Sequence, residues 1–281
     1  MKTIKLKGYV ECKYGQIHYQ AYGSGQPLVL CHQSPSSLEM FASAYSLLAS
    51  KGIQAIGVDT PGYGQSDAPD TQPSIKDYAE CIVEVINHLG CKPVTILGHH
   101  TGACIAAELS VLKPDLISRV ILNGPPVMTA QEKKQIMNTI KNAPRIIPIK
   151  DGRHLKDVWE KRISFTPGWT DINAMHNGVI QMLRAGPNDH FGFIAAFEYD
   201  LEHALSKIKQ SAMILTNTGD DIYFAALRAK ELRPDFIFKA LTDGTHDIVD
   251  EQTNEWVDLI VDFIKKGKKR EKKVIHLCRN L

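Results

Sequence analysis

The sequence lacks the features that would place it among secreted, membrane or disulfide-stapled proteins. Its six cysteines form no CxxC pair, and several lie in apolar stretches, which is typical of reduced thiols in a protein core. No apolar run approaches the roughly 20 residues that a membrane-spanning helix requires, and the N-terminal residues contain no apolar signal-peptide segment. We therefore expect a cytoplasmic protein without a membrane span.

Two motifs of cofactor-dependent enzymes are also missing. The chain has no GxxxxGK[ST] phosphate loop, which disfavours a nucleotide-dependent enzyme. His32, His99, His100 and His246 with Asp220 could converge on a metal ion, but no HExxH-type spacing supports such a site. The sequence therefore predicts neither a cofactor nor a metal ion, and a small-molecule substrate rather than a nucleic acid.

The composition is that of an ordinary globular protein with an uneven charge distribution. Hydrophobic residues make up 43% and charged residues 23% of the chain, which is typical of a globular protein. The length of 281 residues predicts one large domain or one domain with a sizeable insertion. The formal net charge is +2, and much of the basic excess lies in residues 265–273. A like-charge run after the last predicted helix is typical of a solvated end, so residues 269–281 are predicted to form a basic tail.

Short apolar runs, typical of strands, recur along the chain with helical patterns between most of them. The predicted strands cover residues 4–12, 16–21, 27–31, 54–58, 94–97, 119–122, 212–216 and 236–241. The helical patterns cover residues 38–50, 75–89, 102–112, 224–232 and 253–265. Because strands and helices alternate, we expect a mostly parallel sheet with crossover helices.

The alternation breaks between Asn123 and Ser211, where about 80 residues replace the usual single crossover. Helical patterns over residues 130–142, 155–164, 174–184 and 191–205 fill this segment. The pattern predicts a helical cap over residues 125–205, inserted into a core formed by residues 1–124 and 206–268. Trp159 and Phe191 of the cap are candidates for lining a substrate pocket.

The strongest local motif is a buried strand that runs into Gly98-His99-His100-Thr101-Gly102 and then into a helix of small residues. This pattern is typical of a strained strand-to-helix turn that presents only its central residue, here His100. The side chain at such a turn meets the free amides of a helix N-terminus, which stabilise an oxyanion.

This motif and two others resemble the α/β-hydrolase superfamily. His32-Gln33-Ser34-Pro35 is similar to the family's oxyanion loop, and residues 59–66 are similar to its Asp-x-x-Gly-x-Gly-x-Ser segment. The resemblance implies an eight-stranded, mostly parallel α/β sheet with a helical cap. It also implies an oxyanion hole formed by the amides of Gln33 and Thr101, with His32 and Ser34 as pocket residues.

The resemblance further implies an acid and a histidine after the last two strands. Asp220 is the candidate acid, with Asp221 as an alternative because a one-residue shift would exchange them. His246 is the candidate histidine, and a carboxylate paired with it would orient the imidazole and raise its basicity. We therefore expect His100, Asp220 and His246 to form the catalytic group.

His100 departs from the family pattern, in which serine, aspartate or cysteine stands at this turn. Three interpretations remain open. His100 acts as a base or nucleophile in a hydrolase, the site carries out lyase or isomerase chemistry without an acyl-enzyme, or the pocket only binds a ligand. The first interpretation predicts a cofactor-free hydrolase of a small ester, lactone or related carbonyl compound.

Overall fold

The computed structural model describes the backbone of residues 5–278 and the side chains of residues 5–266. It contains eight β-strands, one for each predicted strand. They are β1 (Lys5–Cys12), β2 (Gly15–Tyr22), β3 (Gln26–Cys31), β4 (Ile53–Val58), β5 (Val94–His99), β6 (Ile117–Asn123), β7 (Ser211–Asn217) and β8 (Ile237–Leu241). At most of the strand ends, the observed bound differs from the predicted one by one or two residues.

The eight strands form one sheet in the order β1-β2-β4-β3-β5-β6-β7-β8. Strand β2 is antiparallel to both of its neighbours, and every other pair is parallel. The predicted eight-stranded, mostly parallel α/β fold is therefore confirmed. Since the carboxyl ends of β3, β5, β6 and β7 lie at the same edge, the loops after these strands are brought together.

Helices cover both faces of the sheet. They are α1 (Ala42–Ser50), α2 (Ile75–Leu89), α3 (Thr101–Leu112), α9 (Tyr223–Leu232), α10 (Ile248–Glu251) and α11 (Thr253–Cys278), and a 3-10 turn over Leu38–Phe41 precedes α1. Helix α2 begins at a capping box, in which Ser74 and Asp77 satisfy each other's backbone amides. It ends at Gly90, whose φ of 62° is readily adopted by glycine.

The sheet separates two apolar layers because side chains of a strand alternate between its faces. Val29 of β3 and Ile96 of β5 pack with α2 and α3 on one face. Leu28 and Leu97 point to the other face, where they pack with Tyr45 of α1 and Trp256 of α11. The interior strands are therefore apolar on both faces, as expected of a parallel sheet that is covered on both sides.

Five helices form an insertion between β6 and β7. They are α4 (Ala130–Asn142), α5 (Arg153–Ser164), α6 (Ile172–Ala185), α7 (Phe191–Glu198) and α8 (Leu201–Lys207). Residues 191–205, whose pattern is compatible with helix, lie in two helices, α7 and α8, rather than in one. The chain leaves the first helix at Tyr199, and the side chain of Asp200 accepts a hydrogen bond from the His203 amide at 3.0 Å, which caps a second helix.

The last helix is longer than its sequence pattern indicates. Helix α11 continues to Cys278, past Lys265, and so includes most of the run predicted to be a basic tail. The side chains of residues 267–278 and all of residues 279–281 lie outside the described part of the chain. Within the described part, no helix is long and apolar enough to cross a membrane.

Candidate active site

The turn between β5 and α3 holds His100 in a strained backbone conformation. Its φ of 47° and ψ of −106° lie outside the ordinary helical and extended regions. The turn is tight because two glycines allow close contact. A Cβ on Gly98 would lie 1.8 Å from the Gly102 carbonyl oxygen, and one on Gly102 would lie 2.1 Å from the Cys31 carbonyl oxygen. Strand β5, helix α3 and the end of β3 therefore meet around His100.

The side chain of His100 forms a hydrogen bond with Asp220, which follows β7. The distance from His100 Nε2 to Asp220 Oδ2 is 2.8 Å, and the other carboxylate oxygen accepts the Ile222 amide at 3.0 Å. The Asp220 side chain is fully buried, and burial alone would raise its pKa. The imidazole of His100 outweighs burial and holds the pKa of Asp220 well below its usual range, so the carboxylate is ionised.

The protonation of the His100 ring follows from this contact. An ionised carboxylate only accepts hydrogen bonds, so Nε2 carries the proton that it donates to Asp220. In the neutral imidazole, Nδ1 then holds the lone pair. Nδ1 has no hydrogen-bond partner among the described residues and is not buried, so it faces solvent. The site therefore presents a carboxylate-supported imidazole with a free basic nitrogen.

His246 does not form the predicted pair with Asp220. No hydrogen bond or ion pair joins the two side chains in the described part of the chain, and His246 Nε2 instead lies 3.4 Å from Asp247 Oδ2. The physical reason for the change of partner is the imidazole at position 100, which reaches Asp220 itself and satisfies its Oδ2. His246 is close enough to interact electrostatically with both His100 and Asp220, and burial lowers its pKa.

An ion pair links the loop of His246 to the helical insertion. Arg162 of α5 donates to Asp247 Oδ2 at 2.6 Å, and both side chains are largely buried, with 8% and 13% exposure. Phe165, one residue after α5, lies edge-on to the His246 ring at a centroid distance of 6.1 Å. The insertion therefore contacts one side of the site through residues that the sequence patterns did not indicate.

The candidate oxyanion donors lie on adjoining segments. Thr101 is the first residue of α3, so its amide has no acceptor within the helix. The amide of Gln33 has no acceptor among the described residues. The close packing of Gly102 against Cys31 and His32 brings the start of α3 next to the loop that contains Gln33.

The two other loop residues predicted to line the pocket have structural contacts. His32 uses both ring nitrogens, because Nδ1 donates to the Gln33 carbonyl at 2.7 Å and Nε2 accepts from the Thr60 amide at 3.1 Å. Burial lowers the pKa of His32, so the ring is neutral. Ser34 is buried beneath α7, and a Cβ on Gly192 would lie 1.9 Å from its hydroxyl oxygen. His32 thus shapes the oxyanion loop, and Ser34 lies between that loop and the insertion.

The two insertion residues predicted to line the pocket occupy different environments. Trp159 packs against the insertion's own apolar cluster of Ile146, Val158, Val179 and Met182. Phe191 begins α7, and its ring contacts that of His190 at a centroid distance of 5.0 Å. The position of Trp159 is therefore that of a core residue.

Gln181 of α6 was not indicated by the sequence and connects the insertion to the oxyanion loop. Its side-chain oxygen accepts hydrogen bonds from the Ser36 hydroxyl at 2.6 Å and from the Ser37 amide at 2.9 Å. The two serines and Gln181 are about 145 residues apart in sequence, so no local pattern could have revealed the contact. This glutamine fixes the position of the insertion over the loop after β3.

Gly124, directly after β6, supports the contact between His100 and Asp220. A Cβ at this position would lie 2.5 Å from His100 Cδ2 and 2.9 Å from Asp220 Oδ2. Its φ of 57° also favours glycine. The backbone of residue 124 is therefore in contact with both side chains, and only a residue without a side chain leaves room for them.

His99 lies beneath the site and is fully buried. Its ring centroid is 4.3 Å from that of His100, and neither of its ring nitrogens has a hydrogen-bond partner among the described residues. Burial, followed by repulsion from His100, holds the pKa of His99 well below 6.5. The ring is therefore neutral in the folded protein.

This burial predicts that the folded protein loses stability in acid. A histidine in the unfolded chain binds a proton near pH 6.5, whereas folded His99 does not, so the unfolded state binds more protons as the pH falls. The free energy of unfolding should decrease below about pH 6.5, by at most roughly 1.4 kcal/mol per pH unit for each such histidine. Urea denaturation between pH 7.5 and pH 5 measures this dependence.

The matched pair His99→Gln and His203→Gln isolates the contribution of His99, because His203 is exposed. We expect a shallower pH dependence in the first variant and an unchanged one in the second. Equal slopes in His99→Gln and the native chain would contradict a buried neutral His99.

No group of three or more histidine, cysteine, aspartate or glutamate side chains within the described residues is arranged to hold a metal ion. The polar groups of the site are the Asp220 carboxylate, the imidazoles of His100 and His246, and the backbone amides of Gln33 and Thr101.

Comparison with known proteins relates this arrangement to a family. Residues 26–175 match the α/β hydrolase fold family. The (E)-2-((N-methylformamido)methylene)succinate hydrolase of Acinetobacter baylyi is 36% identical over 210 residues, which cover 72% of this chain and 76% of that protein.

Solved structures show the same fold. The bromoperoxidase of Bacillus anthracis superposes with a TM-score of 0.79 at 18% identity, covering 92% of this chain and all of that one. An E-2-(acetamidomethylene)succinate hydrolase superposes with a TM-score of 0.76 at 18% identity, covering 93% of this chain and all of that one. With its family match spanning more than half of its length, the chain belongs to the α/β hydrolase fold family.

Proposed function

We propose that this protein is a cofactor-free hydrolase of a small ester, lactone or N-acyl compound, in which His100 and Asp220 act together as the catalytic base. The observation that carries the proposal is the 2.8 Å hydrogen bond from His100 Nε2 to the buried carboxylate of Asp220. In this arrangement, the residue at the strand-to-helix turn, His100, is itself the base.

The chemistry begins with a water molecule hydrogen-bonded to Nδ1 of His100. The imidazole removes a proton from the water as the oxygen attacks the substrate carbonyl, and Asp220 stabilises the imidazolium that forms. Because Nε2 is already held by Asp220, Nδ1 is left free to bind this water. The base therefore needs no serine or cysteine, which agrees with histidine at position 100.

The developing negative charge on the carbonyl oxygen would be stabilised by the amides of Gln33 and Thr101. Support for this role comes from the packing of the α3 N-terminus against the loop after β3 and from the free amide of Gln33. His246 is assigned to the substrate side of the site. Its neutral imidazole is suited to hydrogen-bond the substrate or its leaving group.

The substrate class rests on the 36%-identical relative, whose name describes a succinate that carries an N-methylformamido group. We therefore place a small N-acyl compound bearing carboxylates first among the candidates, followed by esters and lactones. Hydrolysis of such a compound requires an activated water, an oxyanion site and a proton for the nitrogen or oxygen that leaves as the tetrahedral intermediate collapses. The His100 imidazolium, which holds the proton taken from the water, supplies it.

Turnover of a compound panel in H₂¹⁸O tests the proposal. The panel contains (E)-2-((N-methylformamido)methylene)succinate, nitrophenyl esters and small lactones, and mass spectrometry follows the products. We expect at least one compound to yield a carboxylic acid that carries one ¹⁸O atom from the solvent.

Two other results would overturn the proposal. A rearranged or eliminated product without solvent oxygen would indicate lyase or isomerase chemistry. Tight binding of a compound without any product would indicate a ligand-binding protein. Rapid quenching during the first turnover adds a mechanistic test, since an acyl group attached to His100 would show that the imidazole is a nucleophile rather than a base.

A further inference from the structure

Two cysteines far apart in sequence lie in contact at the β1 edge of the sheet. Three strands separate β1 from β5, the strand that leads to His100. Cys12 is the last residue of β1, and Cys81 lies in the middle of α2. Their sulfur atoms are 3.1 Å apart, and the Cys81 thiol donates to Cys12 Sγ. The contact joins the β1–β2 hairpin to the helix that packs on it.

The hairpin turn surrounds Cys12 Sγ with groups that favour a thiolate. The Tyr14 amide donates to Sγ at 3.3 Å, and the ammonium group of Lys13 lies nearby. Lys13 also forms ion pairs with Asp77 and Glu80 of α2, which hold the turn against the helix. The hydrogen bond from Cys81, together with these groups, lowers the pKa of Cys12 to about 7 despite its partial burial.

The other cysteines whose side chains are described have a different environment. Cys31 and Cys104 are fully buried, and burial raises the pKa of each to about 12. Cys91 is partly buried, and burial raises its pKa as well. Cys12, in contrast, lies in a surface pocket open to solvent that Cys81, Lys76 and Lys113 also line.

We propose that Cys12 and Cys81 form a two-cysteine site that reduces hydroperoxides, with Cys12 as the attacking thiol and Cys81 as the resolving thiol. The geometry supports both roles. Cys12 is the more accessible of the two residues, and its sulfur accepts two hydrogen bonds, whereas Cys81 is buried, with its sulfur 3.1 Å from that of Cys12.

The chemistry has two steps. The Cys12 thiolate attacks one peroxide oxygen, an S–O bond forms, the O–O bond breaks, and an alkoxide or hydroxide leaves and is protonated by solvent. The Cys81 sulfur then attacks Cys12 Sγ and forms the disulfide, the S–O bond breaks, and the proton of the Cys81 thiol passes to the departing hydroxide, which leaves as water. Two thiols are oxidised, and the hydroperoxide is reduced to an alcohol and water.

The short distance between the two sulfur atoms favours this outcome. A disulfide needs the two sulfur atoms to approach from 3.1 Å to about 2.05 Å, a shift of roughly one ångström. The ion pairs of Lys13 with Asp77 and Glu80 join the hairpin to α2 and so keep the two sulfur atoms close for the second step. This inference is independent of the proposed hydrolase function, because none of its residues contacts the site around His100.

Treatment of the reduced full-length chain with stoichiometric hydrogen peroxide at pH 7 tests the proposal. We expect a mass loss of two hydrogen atoms, a peptide map that joins Cys12 to Cys81, and reversal by dithiothreitol. Before oxidation, Cys12 should be alkylated by iodoacetamide about tenfold faster than Cys91, because more of it is thiolate at this pH.

Three variants assign the roles of the two cysteines, so that the test does not depend on the folding of any single variant. Cys81→Ser should stop at a sulfenic acid on Cys12 that dimedone traps, Cys12→Ser should form no disulfide, and Cys91→Ser should behave as the native chain. The proposal is overturned if native Cys12 is oxidised no faster than Cys91. It is also overturned if the product is a sulfinic acid, a different cysteine pair or a disulfide between two chains.

Discussion

Replacement of His100 by alanine is expected to lower kcat/KM for the hydrolysed substrate by about 10²–10⁴-fold, the range over which a positioned acid or base contributes. The variant removes the imidazole whose Nε2 contacts Asp220 and whose Nδ1 faces solvent. It leaves the candidate oxyanion amides in place, since both belong to the backbone. Steady-state kinetics on the compound found in the H₂¹⁸O panel measures the effect.

His246→Ala is the matched comparison for this experiment, because both imidazoles lie at the same edge of the sheet. We expect a smaller loss, expressed mainly in KM, since His246 is not paired with Asp220 and is assigned to substrate contact. Each variant requires a near-ultraviolet circular dichroism spectrum like that of the native chain. If His246→Ala lost activity and His100→Ala retained it, His246 rather than His100 would be the base.

Replacement of Asp220 by asparagine is expected to lower kcat/KM by about 10²-fold. The amide oxygen of asparagine can still accept the proton on His100 Nε2, but it lacks the charge that stabilises the imidazolium. Steady-state kinetics of both chains on the compound found in the H₂¹⁸O panel measures this loss.

Asp221→Asn is the control for Asp220→Asn. Asp221 is adjacent in sequence but exposed, and none of the described contacts joins it to His100. We expect its rate to stay within about twofold of the native rate, as for most surface substitutions. Equal losses in the two variants would show that a carboxylate at either position serves the base, and the assignment of Asp220 would fail.

Much of the fold could be predicted because it depends on local patterns. Buried parallel strands are short apolar runs, and amphipathic helices such as α2 repeat every 3.6 residues between a capping serine and a glycine. The pattern was ambiguous where one long helix and two shorter helices would show the same hydrophobic spacing. The segment around Tyr199 and Asp200 is an example, because a capping side chain rather than hydrophobic periodicity decides where α8 begins.

Part of the candidate site could also be predicted. His100, Gln33, Thr101 and Asp220 come from motifs whose order along the chain matches the family, and the structure brings their segments together at one edge of the sheet. The contacts of Arg162 and Gln181 could not be predicted. Each joins the insertion to a core loop, and the sequence separations of 85 and about 145 residues leave no periodic signal.

By itself, the sequence determined the α/β class, the number of strands, the family and the position of the strained turn at His100, because strand periodicity and glycine spacing act over a few residues. Only the tertiary structure decided which histidine pairs with Asp220 and which cysteines meet. The contacts that decided them join residues 120 and 69 residues apart in sequence, His100 with Asp220 and Cys81 with Cys12, so no local pattern could reveal them.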